Sequence, residues 1–369
     1  MIPFPESTLL VPRTLFGRGK ITALPALGRE FGPRGLLVYG ASFRRSVAYG
    51  RLHDAARGLV EWAEWEHPGG EPTLDQADAL RAAAQTARAG WIAAIGGGSV
   101  LDLGKTAAGL FHETAPTAAF HAGQTPRHAG IPFLAAPTTA GTGAEATPNA
   151  VLTDSNTALK KSIRDDRFMA RAVILDGGLL SGSPAHVIAH AGMDAFTQAL
   201  EAFISVKSNA TSDALALTAL GLIAAALPPV FAHADAPEAD ALMAGSHLAG
   251  IALAQARLGV IHGLAHPLGA FYHLPHGLVC ALCLPAAIAL NRTAMGDKYM
   301  RLSETVGGDF ATVTNTLLAT LQIQNPFKGQ PLLRKNEILD QTLSSGSTMA
   351  NPKRITPADV EFLLSRLFV

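Results

Sequence analysis

The sequence predicts a two-part chain: an α/β half on a parallel sheet over residues 1–182, then an all-helical half over 183–369. Three observations carry this. The chain has 369 residues, more than one hydrophobic core normally serves. Up to about Gly182, short apolar or β-branched runs alternate with helical patterns, the signature of parallel strands with covering helices. Beyond Pro184 the chain turns to long alanine- and leucine-rich helical segments with few strand signals.

The elements follow in order. GLLVYG (35–40) reads as a buried strand, followed by a helix from about Ser46 to Val60. Thr73 and Gln76 form a capping box ahead of a helix reaching about Arg88. WIAAIGGGS is a strand entering a glycine loop, VLDLGKTAAGLF the next helix, and IPFLAAPTTAGTG a buried strand ending in a polar, glycine-rich turn. In the second half, ALALTALGLIAAAL and EADALMAGSHLAGIALAQ are typical helices. Pro275 suits the first turn of a helix beginning near His276. There is no internal repeat.

Composition narrows the function classes. Hydrophobic residues make up 48% against 16% charged, enough to fill an interior. The 29 basic residues balance 29 acidic ones, and no basic cluster dense enough to track a phosphate backbone appears, so no nucleic-acid partner is expected. The first residues lack the basic start and apolar core of a secretory signal, and no uninterrupted apolar run of membrane-spanning length is seen. The expectation is a cytoplasmic chain with no membrane partner. The two cysteines, Cys280 and Cys283, lie in LVCALCLPAAIAL and read as buried structural thiols in a reducing setting.

Two constellations carry chemistry. In the first half, Gly96, Gly97, Gly98 and Ser99 follow a strand and open a helix. Glycines let the backbone approach a pyrophosphate, which the helix N-terminus then holds. The run is not the G-x-G-x-x-G of the standard unit, and taken alone a tight strand-to-helix turn is its plainer reading. Its company adds weight: PTTAGTGAEAT (137–147) is a second turn rich in hydroxyls at a strand's carboxyl end, where ligands sit in open α/β sheets. This half therefore reads as a Rossmann-like, dinucleotide-binding domain. In the second half, Asp194 and Gln198 stand at i and i+4 in AGMDAFTQALEAF, and His262 and His266 repeat that spacing, with His273 and His276 close behind. A carboxylate and several imidazoles converging in this way suit a divalent metal.

Taken in order and spacing, IGGGSVLDLGK, PTTAGTGAEAT, GMDAFTQALEAF and IHGLAHPLGAFYHLPHG resemble the iron-containing (group III) alcohol dehydrogenase family. That superfamily includes maleylacetate reductases, glycerol dehydrogenase and, more distantly, 3-dehydroquinate synthase, whose architecture the resemblance implies. The motifs run from about residue 10 to 290, and the chain after Asn291 is less distinctive. The resemblance places the pyrophosphate loop on Gly96, Gly97, Gly98 and Ser99, with Asp102 near the nicotinamide. It makes Thr138, Thr139 and Thr142 cofactor-contacting hydroxyls and puts Lys160 near the cofactor ribose.

It also bears on the choice of dinucleotide. NAD-preferring members tend to carry an aspartate just after the first strand; here the turn reads Tyr39-Gly40, followed by Ser42, Arg44 and Arg45. Loss of the carboxylate and gain of a hydroxyl and guanidinium groups favours a 2′-phosphate, and so NADP(H) over NAD(H). The plainer reading leaves the arginines as surface charge.

In the family an Asp, a His four residues later and two further His hold one divalent ion. Asp194, His262 and His276 fall on three of these positions, and Gln198 on the fourth. An amide is a poorer donor than imidazole for iron or zinc, which argues against tight iron binding, while three ligands suffice for an open zinc site. Maleylacetate reductases, thought to work without metal, keep the second option open: histidines protonating a carboxylated substrate. His266 is the candidate proton relay, with His273 and Gln198 as further catalytic candidates.

The resemblance thus implies an NAD(P)H-dependent alcohol dehydrogenase or aldehyde reductase, a homodimer, acting on a small carbonyl compound and its alcohol. The alternatives are a metal-independent reductase of an unsaturated keto acid and an inactive cofactor-binding homologue.

Overall fold

The computed structural model describes residues 8–157 and 159–368. The chain divides into two compact units, Leu9–Gly182 and the residues from Ser183 onward.

The first unit contains strands β1 (Thr14–Phe16), β2 (Arg34–Gly40), β3 (Glu61–His67), β4 (Ile92–Gly96), β5 (Phe133–Pro137), β6 (Asn149–Asp154), β7 (Leu159–Arg164) and β8 (Ala172–Leu175). Its helices are α1 (Leu24–Arg29), α2 (Ala41–Arg44), α3 (Val47–Ala56), α4 (Leu74–Thr86), α5 (Gly98–Gly109) and α6 (Thr117–His121). Six strands form one parallel sheet in the order β1-β8-β5-β4-β2-β3, and β6 and β7 pair as an antiparallel hairpin.

The sheet is buried on both faces, and side-chain alternation assigns each residue to one of them. Leu36, Val38, Ile92, Ala94, Phe133, Ala135 and Val173 belong to one apolar cluster. Their neighbours Leu37, Tyr39, Ala93, Ile95, Leu134, Ala136 and Ile174 belong to the other. Burying a leucine-sized side chain contributes about 1.5–3 kcal/mol, so a one-residue slip in register would cost many such contributions.

Some sequence expectations shift in detail. The helix expected over 46–60 is α3, which ends at Ala56, with Ser46 accepting from the Tyr49 N–H at its N-cap, and the short helix α2 before it was not expected. The Thr73–Gln76 capping box of α4 is present as read. The edge strand β3 and the β6–β7 hairpin were not expected. Apart from buried His67 and Ile163, EWAEWEH and LKKSIR are half-exposed to exposed and carry no apolar run.

The second unit holds α7 (Ala185–Ile204), α8 (Ala210–Ala232), α9 (Ala239–Ala256), α10 (Val260–Tyr272), α11 (His276–Met295), α12 (Lys298–Val306), α13 (Phe310–Thr320), α14 (Lys335–Ser344) and α15 (Pro357–Leu367). Every residue of α7 from Gly192 to Ile204 is buried, because α8, α9 and α11 all pack against it. A helix enclosed on all sides must be apolar all round, and the polar residues it retains need partners. The absence of a long apolar run, as read from the sequence, needs correction. α8 and α11 are each long and apolar enough to cross a membrane by length and composition. In α11 that apolarity is accounted for by burial of Val279, Cys280, Ala281, Leu284 and Ala287 within the unit.

Candidate functional site

In the first unit, the strand order makes one crevice. β2 connects onward to β3 on one side of it, whereas β4 lies on its other side and connects to β5. Connections that diverge from adjacent parallel strands leave a gap at their carboxyl ends, where ligands bind in open α/β folds. Gly40 ends β2 and Gly96 ends β4, with Tyr39 opposite Ile95.

Gly97 is the N-cap of α5 and carries no side-chain cap, so the helix's first N–H groups are available to an anion. Side chains are excluded here by crowding. A Cβ on Gly98 would lie 3.0 Å from the Thr142 side chain, and one on Gly96 2.5 Å from Val100. The Thr138 N–H donates to Gly96 O at 3.0 Å, joining the two turns, and Thr139 lies against Gly97. Ser99, Thr138 and Thr139 are half-buried and Thr142 is exposed.

Buried Lys105 fixes the second turn by donating to the carbonyls of Ala144, Thr147 and Asn149. Asp102, one helical turn earlier, accepts from the Val151 N–H at 3.0 Å through Oδ2. Its other oxygen is buried with no hydrogen-bond partner among the described residues. Burial pushes the Asp102 carboxyl up to about 6, against the opposing pull of Lys105. Lys160, on β7, pairs with Glu71 at 2.8 Å. Ser42 and Arg45 are exposed. Arg44, a candidate for the 2′-phosphate, pairs with Glu66 of β3 at 2.8 Å, so a 2′-phosphate would have to displace that carboxylate.

In the second unit, three helices bring four donor side chains together. Asp194 comes from α7, His262 from α10, and His276 and Cys280 from α11. One ligand atom from each lies within 4.8 Å of all the others. His262 Nε2 stands 3.2 Å from Asp194 Oδ1, His276 Nε2 stands 3.8 Å from the same oxygen, and Cys280 Sγ is 3.6 Å from His276 Nε2.

The packing that permits this is specific. α11 begins beside α7 so closely that a Cβ on Gly277 would lie 2.1 Å from the His190 carbonyl oxygen and 3.2 Å from the Asp194 Cβ. Glu201, seven residues after Asp194 on α7, orients His262. It accepts from His262 Nδ1 at 2.7 Å and from the Ile261 N–H at 2.6 Å. With Nδ1–H so committed, Nε2, which faces Asp194, is the nitrogen that can bind a ligand once its proton is displaced.

Electrostatics favour the charged cluster. Burial opposes ionisation of Asp194, yet the hydrogen bond from His262, the charge of His276 and the Gln198 amide hold its pKa below the ordinary value. Burial opposes charge on His262 as well, but Cys280, Asp194 and Glu201 raise it well above the ordinary imidazole. Burial would raise the Cys280 thiol, and His276 and His262 outweigh it and bring it down. Burial pushes the Cys283 thiol well up, and the charges of Cys280 and Glu201 add to this against a smaller opposing pull from His262. A proton-sharing set of this kind is what a divalent cation can replace, since it neutralises the thiolate and carboxylate together.

The remaining candidates are spread around the cluster. Gln198 is buried beside Asp194, and its Oε1 has no hydrogen-bond partner among the described residues. His266 is exposed and its ring stacks on His276, centroids 4.9 Å apart. His273 is exposed and caps α10 in a left-handed conformation, its N–H donating to Gly269 O. The sequence reading missed Glu201 and took Cys280 for a structural thiol. Both had a signal: Glu201 follows Gln198 by three residues, and Cys280 follows His276 by four, the spacing that singled out the other residues.

Comparison with known proteins settles the family. Residues 12–177 match the family model described as iron-containing alcohol dehydrogenase, and residues 188–368 match its C-terminal counterpart. The chain belongs to the iron-containing alcohol dehydrogenase family. Lactaldehyde reductase of Escherichia coli K12 is 34% identical over 299 residues, covering 79% of this chain and 77% of that protein. A probable alcohol dehydrogenase of the same organism, EutG, is 32% identical over 298 residues, covering 79% and 74%. The solved structure of a 1,3-propanediol oxidoreductase superimposes with a TM-score of 0.93 at 26% identity, covering all of both chains. Asp194, Gln198, Glu201, His262 and His276, on α7, α10 and α11, all lie within the matched C-terminal region, and the sheet and the glycine turns lie within the matched N-terminal region.

Proposed function

We propose that the chain is a nicotinamide-dependent oxidoreductase that interconverts a small aldehyde or ketone and its alcohol. The observation that carries this is the convergence of Asp194, His262 and His276 on one point, beside a family membership whose relatives include a lactaldehyde reductase. NADP(H) is the proposed preference over NAD(H). Supporting it are the missing carboxylate after β2, the exposed Ser42 and Arg45, and Arg44 within reach of the same turn. A homodimer in the cytoplasm is the proposed setting.

Asp194, His262 and His276 would hold a divalent metal, iron or zinc; the donor distances and the mix of carboxylate and imidazole fit either. When bound, such an ion polarises a carbonyl oxygen, and the nicotinamide supplies the hydride. The chain's own residues do the rest. Gly96, Gly97, Gly98 and Ser99 bind the pyrophosphate, with Thr138, Thr139 and Thr142 along the second turn. Asp102 and Lys160 serve the nicotinamide and ribose ends. Glu201 holds His262 in one tautomer. His266, exposed and stacked on His276, carries the alcohol proton to and from solvent.

NADPH or NADH oxidation with a panel of short aldehydes and ketones tests this reading. Turnover with at least one of them, and faster with NADPH, is expected. Tight cofactor binding with no turnover on any would favour an inactive homologue. Turnover only on an unsaturated keto acid would favour the maleylacetate reductase type.

A further inference from the structure

We propose that Cys280, not Gln198, supplies the fourth protein donor to the metal, making the centre an Asp–His–His–Cys set suited to zinc. This rests on the metal-dependent reading given above and refines it. The geometry carries it. In a tetrahedral zinc site, bonds of about 2.0 Å to nitrogen or oxygen and about 2.3 Å to sulfur separate neighbouring donors by roughly 3.3–3.8 Å. The observed separations are 3.2 Å from His262 to Asp194, 3.8 Å from His276 to Asp194 and 3.6 Å from His276 to Cys280. No other His, Cys, Asp or Glu joins this group among the described residues.

The helix makes the placement firm. Cys280 follows His276 by one turn of α11, so both side chains leave the same face, and both are positioned by the close approach at Gly277. Gln198 also lies beside Asp194, but it brings a neutral amide, a weaker donor than sulfur for a borderline-soft ion. Cys283, three residues beyond Cys280, is equally buried and stands outside the group, so the helix carries its own control. Replacing an imidazole position on α7 by an amide while a thiol enters from α11 keeps the donor number at four and shifts selectivity from iron toward zinc.

Cobalt(II) loaded into the metal-stripped full-length protein tests the assignment, because a cobalt–thiolate bond gives a near-ultraviolet charge-transfer band that nitrogen and oxygen donors do not. One equivalent of cobalt with this band is expected in the native chain and in Cys283→Ser, and loss of the band with cobalt still bound is expected in Cys280→Ser. One equivalent bound to the native chain without the band would overturn the Cys280 assignment and leave the metal site standing. Failure to bind cobalt at all would overturn the assignment together with the metal reading. Should Cys280→Ser fail to fold, the band in the native chain and its persistence in Cys283→Ser still decide the matter.

Discussion

Glu201 accepts from His262 Nδ1 at 2.7 Å while also accepting from the Ile261 N–H at 2.6 Å. One carboxylate thus caps the first turn of α10 and sets the ring orientation of the histidine that this turn carries. The cap is favoured by the helix dipole, and the ring contact by charge. Replacing Glu201 by Gln keeps the shape but weakens both. Metal affinity is expected to fall about 10–100-fold, the usual effect of losing a carboxylate behind a metal-bound histidine. Competition against a chelator of known affinity measures this; an unchanged constant would show that Glu201 serves only the helix.

Gly277 is the point where α11 meets α7. An alanine there would gain about 1 kcal/mol in helix propensity. Its Cβ would meet the His190 carbonyl oxygen at 2.1 Å, backbone that cannot step aside without moving α7. Overpacking of this kind costs about 1–3 kcal/mol or more, so Gly277→Ala is expected to lose stability on balance. A fall in the urea midpoint, with a larger loss of bound metal than of helix content, is the expected result. A midpoint at or above that of the native chain would contradict the close approach.

Arg44 must exchange Glu66 for the 2′-phosphate if NADP(H) is preferred. Because the Arg44 side chain is 60% exposed, its contribution is discounted to about one tenfold factor. Arg44→Ala is expected to lower kcat/KM for NADPH about tenfold and leave NADH nearly unchanged. Glu66→Gln, which frees the guanidinium, is expected to improve NADPH. Equal losses on both cofactors in Arg44→Ala would refute the phosphate role.

Asp102 offers a pH test in the cofactor-free protein. Burial raises its carboxyl to about 6 from the ordinary 3.8, so the folded chain binds this proton more tightly than the unfolded chain does. The folded state therefore loses stability from this group as pH rises from about 4 to about 6, and the penalty is fully present above that. About two pKa units correspond to at most about 3 kcal/mol. Asp102→Asn cannot ionise, so its unfolding free energy should gain on that of the native chain across this window. A difference that does not change between pH 4 and 7 would contradict the buried, raised carboxyl.

Much of this was legible in the sequence for a physical reason. Strands buried on both faces, such as β2, β4 and β5, must be continuously apolar, and they stand out as such. The edge strand β3 sets Trp62 and Trp65 three positions apart among glutamates, with neither an apolar run nor a strict alternation, and the hairpin strand β7 is mostly exposed, so neither announces itself. At the metal cluster, Asp194, His262 and His276 were visible because helical spacing groups chemistry on one face. Glu201 was hidden because its partner arrives from another helix, meeting His262 across 61 positions of chain, whereas Cys280 stands one turn from His276 on α11 and its thiol in an apolar run reads first as core. The pairing of Arg44 with Glu66 was hidden in the same way, since it depends on the parallel register of β2 and β3.

The most direct test of the central claim is the metal content of protein purified without added metal, read alongside aldehyde reduction before and after chelation. One equivalent of divalent metal per chain is expected, with zinc the better fit. Activity should be lost on its removal and restored by its return, and both should be absent from Asp194→Ala. Protein that contains no metal and reduces aldehydes at an undiminished rate in the presence of chelator would contradict the account.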